Sequence, residues 1–398
     1  MNLISFFQGR KLFFSLLIIF SIIKIIDHAI SRDIWQYGWW LINYENGFVR
    51  RGLIGEIIYL FSKILKGNIQ LSYIFILSSL IIFFYFYLYK FINSIRFNIT
   101  LYFLLLSPIF LTFHFINPKV GISTHIVFYL YYLVFLDSIS SNKFNLKKNW
   151  LFIFTSPLLL LHHESIFFFL PYFIVPLVFF LKKENLNLFI LQIFTLVLLF
   201  FISEFFLFIN KGTPEFTKII CDSLENYKPV QCETRGPITA LGHELGIAQW
   251  GKLGLFYVFD DFKVYFNYLL YLTYCFAPVI IIFYITFFKQ KKIIIYSLIL
   301  AILFSAPLFH FAEDWSRWFS IHFHLIAFLI FFMHKIEAFS YKNTILDKVN
   351  KFFIVEKRKI LTVLLLFFYT TLLYHPHFFY PSVRLEFTYM KIYKQLQE

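Results

Sequence analysis

Three short runs in this 398-residue chain combine acids, histidines and arginines in ways that could do chemistry. The first is Arg50-Arg51, set between Gly47 and Gly52 just ahead of an apolar stretch. A guanidinium presents a planar fork that grips two oxygens of a phosphate at once. Such a pair could hold a phosphate group or form an ordinary interfacial ion pair. The second run is His162-His163-Glu164, at a turn between two short apolar stretches. Ionisable groups at membrane depth are costly and normally face a polar cavity. Neighbouring side chains on a helix point about 100° apart, and no third ligand lies close in sequence, so no metal is expected. General acid–base work by Glu164 or His163 fits better, with burial raising the carboxylate's pKa toward the working pH. A polar cap on a helix pair is the structural alternative. The third run is Glu313-Asp314-Trp315-Ser316-Arg317-Trp318, with His310 before it and His322 and His324 after. Asp314 and Arg317 are three apart and share a helical face. That pair could steady an arginine for an anionic ligand or act as a clamp, and the tryptophans could stack on sugar rings or anchor helix ends.

Weaker signals surround these runs. Arg235-Gly236-Pro237 leads to Gly242-His243-Glu244 and Gly246, a candidate glycan-binding loop or plain turn chemistry. Asp27, Asp33 and Glu45 stand among Trp35, Trp39, Trp40 and Tyr44, aromatic residues suited to the lipid headgroup level. Lys24 and Glu204 fall inside apolar stretches, and the sequence assigns neither a partner.

The elements that must position these residues follow from composition. The chain is 60% hydrophobic with mean hydropathy +0.72, which excludes a soluble globule. Apolar blocks can be drawn at about 12–26, 71–89, 99–117, 121–137, 150–163, 165–181, 187–209, 264–287, 293–311, 317–334 and 360–378, each near the length that crosses a hydrocarbon core. In lipid an unpaired backbone amide has no partner, so these blocks must be helical. The expected fold is an all-α polytopic transmembrane bundle of about eleven spans, with residues 52–65 an amphipathic interfacial or re-entrant helix. Residues 1–20 have the basic-then-apolar look of a signal sequence, but no small-residue cleavage site follows, so a retained anchor is expected. Without repeat or linker, residues 1–398 read as one integral membrane domain.

Charge sets the orientation. The short segments between even and odd spans, with the N-terminal one, hold 19 of the 36 Lys and Arg residues but only five of the 22 acids. By the positive-inside rule that face is cytoplasmic and the N-terminus is inside. The net +14 therefore reports topology, and nucleic acid is excluded as a partner. All three runs, and a large loop at 210–263, then fall on the outer face. Of three cysteines, Cys275 lies in a span and reads as core. Cys221 and Cys232 share the outer loop, where an oxidising compartment would favour a disulfide.

The strings NYENGFVRRGLIGE (Asn43–Glu56), HHES (His162–Ser165) and EDWSRW (Glu313–Trp318), on this layout, resemble bacterial O-antigen and capsule polysaccharide polymerases. Arg235 and Gly246 match an arginine–ten residues–glycine spacing of some of them. The chain also resembles lipid-linked glycosyltransferases of the C superfamily, whose catalytic acid would correspond to Asp27, Asp33 or Glu45. Their paired-acid signature is absent, since Asp27 and Asp33 stand six residues apart.

The first resemblance implies joining of undecaprenyl-pyrophosphate-linked repeat units on the periplasmic face of the inner membrane. Glu164, His163, Asp314 and Asp33 would be catalytic candidates, and Arg50, Arg51, Arg317 and Arg235 would bind the pyrophosphate. No cofactor is expected. The partners would be the lipid-linked oligosaccharide, the bilayer and other polysaccharide-assembly proteins. The rivals are a C-superfamily transferase using a polyprenyl-phosphate sugar, and a flippase or transporter. A transporter would favour inverted repeats and broken helices near the midplane.

Overall fold

The structure, a computed structural model, describes residues 3–95, 97–112, 124–140, 149–180, 186–230, 232, 236–241, 262–287, 291–311, 315–341 and 359–372. These are mostly helical. In chain order the helices are α1 (Leu3–Ser31), α2 (Leu53–Ile64), α3 (Ile69–Asn93), α4 (Ile99–Leu105), α5 (Ile126–Ser140), α6 (Asn149–Thr155), α7 (Pro157–His162), α8 (Pro171–Ile174), α9 (Leu186–Ile209), α10 (Pro214–Ser223), α11 (Phe262–Ile285), α12 (Lys291–Phe304), α13 (Ala306–Phe311), α14 (Trp315–Lys335) and α15 (Lys359–Thr371). A two-residue antiparallel ladder, β1 (Thr286–Phe287) with β2 (Ser340–Tyr341), is the only strand pairing among the described residues.

Five helical stretches are long and apolar enough to cross a membrane: Arg10–Ser31, Ile69–Asn93, Leu186–Ile209, Lys291–His310 and Trp315–Lys335. Shorter apolar helices cover Ile126–Ser140, Asn149–His162 and Leu269–Ile285. Their outer faces are apolar too: on α9, Phe194, Phe201, Phe205 and Phe208 are all exposed. A surface of that kind is stable only under lipid or another apolar partner.

α14 is the axis of the bundle, and from Ser320 to Met333 every residue is buried. A helix apolar all round is expected at such a position. Its two inner histidines are absorbed by packing. His322 sits 2.8 Å from the Tyr172 hydroxyl and 2.7 Å from Ser305 Oγ. His324 bonds the Ser320 carbonyl and stacks on Tyr129 at 4.3 Å.

The segment expected to form two short helices turning at His162–His163–Glu164 does turn there and is broken further. Residues 149–162 divide at Ser156, ahead of Pro157. Beyond the turn the chain alternates 3-10 helix (Glu164–Phe169), α8 and a second 3-10 stretch (Val175–Phe180). Proline supplies no amide hydrogen and clashes with the preceding turn, so Pro157, Pro171 and Pro176 interrupt the α ladder.

The described part of 210–263 is a cap. Cys221 and Cys232 are joined as a disulfide with Cα atoms 6.1 Å apart. The cap grips residues 32–43: Val230 donates its amide to the Arg32 carbonyl at 2.9 Å, Arg32 Nη1 donates to the Asn226 carbonyl at 2.8 Å, and Asn43 Nδ2 to Ser223 Oγ at 3.0 Å.

Candidate functional site

The segment between α1 and α2 places the first group of side chains. Asp33 accepts hydrogen bonds from the amides of Trp35 and Gln36, turning the chain into the 3-10 helix Gly38–Trp40. Trp40 is then buried and Trp39 half-buried. Glu56, in the first turn of α2, accepts the Tyr44 amide at 2.8 Å and folds residues 44–51 back on that helix. Glycine is required where this loop closes. Gly47 has φ +99°, and a Cβ on Gly52 would lie 2.2 Å from the Tyr44 ring. Arg51 itself has φ +67°, a sparsely populated conformation for a residue with a Cβ, of the kind found at constrained functional sites.

The two arginines that leave this turn meet Glu164. Arg51 Nε lies 2.9 and 2.6 Å from the two carboxylate oxygens, and Arg51 Nη2 bonds Oε1 as well. Arg50 Nη1 reaches the same Oε1 at 3.5 Å. Both ends of the cluster are largely enclosed, at 15% and 18% side-chain exposure for Arg51 and Glu164. The Arg51 guanidinium also sits 4.7 Å from the Trp39 ring centre. Arg317, from the first turn of α14, lies 5.9 Å from that same ring and 4.4 Å over Trp318. These are cation–π distances. Trp39, read from sequence as a headgroup-level aromatic, here stands between two arginines from opposite parts of the chain.

Burial by itself would raise the Glu164 pKa. The charge and hydrogen bonds of Arg51, aided by the charge of Arg50, instead hold it well below the usual carboxylate range. The expected upward shift toward the working pH is therefore corrected: the resting carboxylate is an ion-pair partner with little basicity. Burial lowers the Arg50 pKa while Glu164 pushes it back up. Its Nε is buried and has no hydrogen-bond partner among the described residues.

The adjacent histidines do different work. His162 Nε2 lies 2.6 Å from the Thr124 carbonyl, and its ring rests on Trp40. His163 Nδ1 accepts the Ser165 amide at 3.2 Å and lies 2.9 Å from Ser165 Oγ, itself 3.1 Å from His125 Nε2. A backbone N–H can only donate, so His163 Nδ1 carries a lone pair and the proton of the neutral ring sits on Nε2. That N–H is buried and unpartnered among the described residues, as is Trp318 Nε1.

The structure thus brings Arg50, Arg51, His163, Glu164 and Arg317 together around Trp39. Asp33 has a turn-forming role at the base of the same segment. Asp314 and Arg235 lie outside the described residues. Two participants were not read as site residues from sequence: His125, and Glu204 on α9. The signal for Glu204 was present, a lone acid in a 24-residue apolar helix. No protein family, curated protein or solved structure matches this chain.

Proposed function

We propose that this chain is a multi-pass membrane enzyme that joins undecaprenyl-pyrophosphate-linked glycan repeat units, with the arginine cluster holding the pyrophosphate. The observation that carries the reading is an excess of donors. Arg50 and Arg51 share the one Glu164 carboxylate, with Arg317 beside the same Trp39 ring as Arg51, and the Arg50 Nε and His163 Nε2 hydrogens are buried without acceptors among the described residues. Buried polar groups are normally satisfied, and a surplus of fixed N–H donors suits an anion. In the transfer, pyrophosphate leaves with the electron pair of the broken C–O bond and gains one negative charge, and preorganised cations aimed at that charge lower the barrier. In this reading about eleven spans cross the inner membrane of a bacterium with the N-terminus inside, and the cluster faces the periplasm. Reporter fusions near residue 230 should then read periplasmic and those after residue 145 cytoplasmic.

The test uses the full chain in nanodiscs with undecaprenyl pyrophosphate as the probe. Arg51→Lys and Arg317→Lys keep the charge but lose the two-pronged grip, so binding should weaken about tenfold at unchanged protein level, a 1.4 kcal/mol effect. The surface-polysaccharide ladder should collapse to single repeat units. Native binding and a normal ladder from both variants would remove this reading.

A further inference from the structure

We infer that Glu204 is the group that takes the proton from the attacking hydroxyl, an inference that rests on the transfer reaction proposed above. A hydroxyl that attacks a sugar carbon must pass its proton to a lone pair that is free to receive it. Around the arginine cluster such lone pairs are scarce. Both oxygens of Glu164 are engaged by Arg51. His163 has its one lone pair directed at the Ser165 amide, so its other nitrogen can only donate. His162 donates from Nε2 to the Thr124 carbonyl and keeps an unbonded lone pair on Nδ1, but the ring is enclosed against Trp40, where taking a proton would create a buried cation. Asp33 spends Oδ1 on two backbone amides that turn the chain into the 3-10 helix Gly38–Trp40.

Glu204 combines what these have only singly, a carboxylate and a buried oxygen left unbonded among the described residues. Its Oε2 is buried and accepts no hydrogen bond among the described residues. Its place in the fold is fixed from both sides. Phe201, three residues before it, packs on Phe167 at 5.0 Å, in the 3-10 helix that begins with Glu164. Phe206, two residues after it, packs on Phe48 at 4.8 Å. At the end of the same helix the Asn210 carbonyl accepts the Arg50 amide at 3.1 Å. Glu204 therefore lies on the stretch of α9 that packs against the segments supplying Glu164 and Arg50, and its charge is felt by Arg50. An acid inside an apolar helix is costly to keep, and a structural role would leave its oxygens bonded.

The step balances as follows. The acceptor O–H proton passes to the Glu204 carboxylate, and the hydroxyl oxygen's electron pair forms the new bond to the anomeric carbon. The bond from that carbon to the pyrophosphate oxygen breaks, its electrons staying on pyrophosphate beside Arg50, Arg51 and Arg317. The division of labour is then clear: Glu164 positions Arg51, and Glu204 receives the proton.

The test pairs two readouts on Glu204→Gln and Glu204→Asp: undecaprenyl pyrophosphate binding by the full chain in nanodiscs, and polymer formation in the cell that makes the glycan. Glu204→Gln should keep binding within about twofold and cut polymer formation about 100-fold or more, the range for loss of a general base. Glu204→Asp withdraws the carboxylate by roughly an ångström, and misplacement on that scale is itself costly. It should bind normally and polymerise poorly. If the Gln variant does not accumulate, the Asp variant decides by the same pair of readouts. Normal polymer from the variants would overturn the Glu204 assignment and leave the pyrophosphate site standing. Loss of lipid binding in both would also overturn it, since Glu204 would then serve binding or folding. Failure of the unmodified chain to bind the probe would instead remove the reading beneath it.

Discussion

α14 carries a cation near each end, and the two are treated in opposite ways. Arg317 and Lys335 are separated by 18 residues, about 27 Å of helix. At the C-terminal end Lys335 Nζ pairs with Asp137, whose second oxygen accepts the Tyr87 hydroxyl at 2.7 Å, and the ammonium lies 4.6 Å from the Phe91 ring. One cation meets one acid, and that network is closed. At the other end three arginines gather with Glu164, and buried N–H groups of Arg50, His163 and Trp318 have no acceptor among the described residues. The same helix thus ends in a closed pair on one side and, on the other, beside N–H groups that have no acceptor among the described residues. Closed networks hold structure.

Removing charge should separate the two ends sharply. Glu164→Gln leaves Arg50 and Arg51 enclosed without their counter-charge. Breaking an enclosed pair from one side costs about 3–5 kcal/mol, so this should be the largest single-residue effect, read as a lowered unfolding midpoint in detergent. A pH series sharpens the point. The folded-state pKa of Glu164 is depressed below its ordinary 4.5. Its stabilisation is therefore complete above about pH 4.5 and is lost as pH falls from there toward the folded-state value. The native chain should lose stability in that acid window, and Glu164→Gln should lose less. An unchanged acid limb in the variant would break the assignment of the pair.

The cap should matter next. Cys221 and Cys232 are 11 residues apart, and closing a loop of that size contributes roughly 3 kcal/mol on the chain-entropy account. Cys221→Ser should lower stability by about that amount. Because the cap grips residues 32–43, it should also loosen Trp39 and weaken anion binding several-fold. A variant that lost stability but bound normally would show that the cap does not position the site.

How far this was legible in the sequence depends on which force placed each residue. Hydropathy marked the long helices, and α1, α3, α9, α12 and α14 stand where apolar composition put them. The breaks at Pro157, Pro171 and Pro176 were printed in the sequence too, yet window hydropathy smooths over a missing amide. Residue chemistry singled out Arg50, Arg51, Glu164 and Arg317, but nothing local says that Arg51 meets a carboxylate 113 residues away. That pairing is made by the packing of α2 and α9 on the helix ends near 160. The basicity of Glu164 failed for the same reason, since burial was visible in the sequence and the arginine partner was not. Trp39 shows a further limit: an aromatic at a helix end has one composition and two uses, anchoring in the headgroups or stacking between cations.

The smallest expected effect tests the closed end. The side chains of Lys335 and Asp137 are 22% and 34% exposed, so water and salt screen the pair, and exposed pairs are typically worth 1 kcal/mol or less. Asp137→Asn keeps the shape and an acceptor for Tyr87 while removing the charge. It should shift the unfolding midpoint slightly, by an amount that shrinks in high salt, and leave pyrophosphate-lipid binding and the polysaccharide ladder unchanged. A loss as large as that of Glu164→Gln would mean the two ends of α14 are energetically alike. A loss of lipid binding would mean they are coupled along the helix, and the C-terminal network would then have to be counted as part of the site. The salt dependence discriminates between these outcomes, because a screened surface pair responds to ionic strength and an enclosed one responds much less.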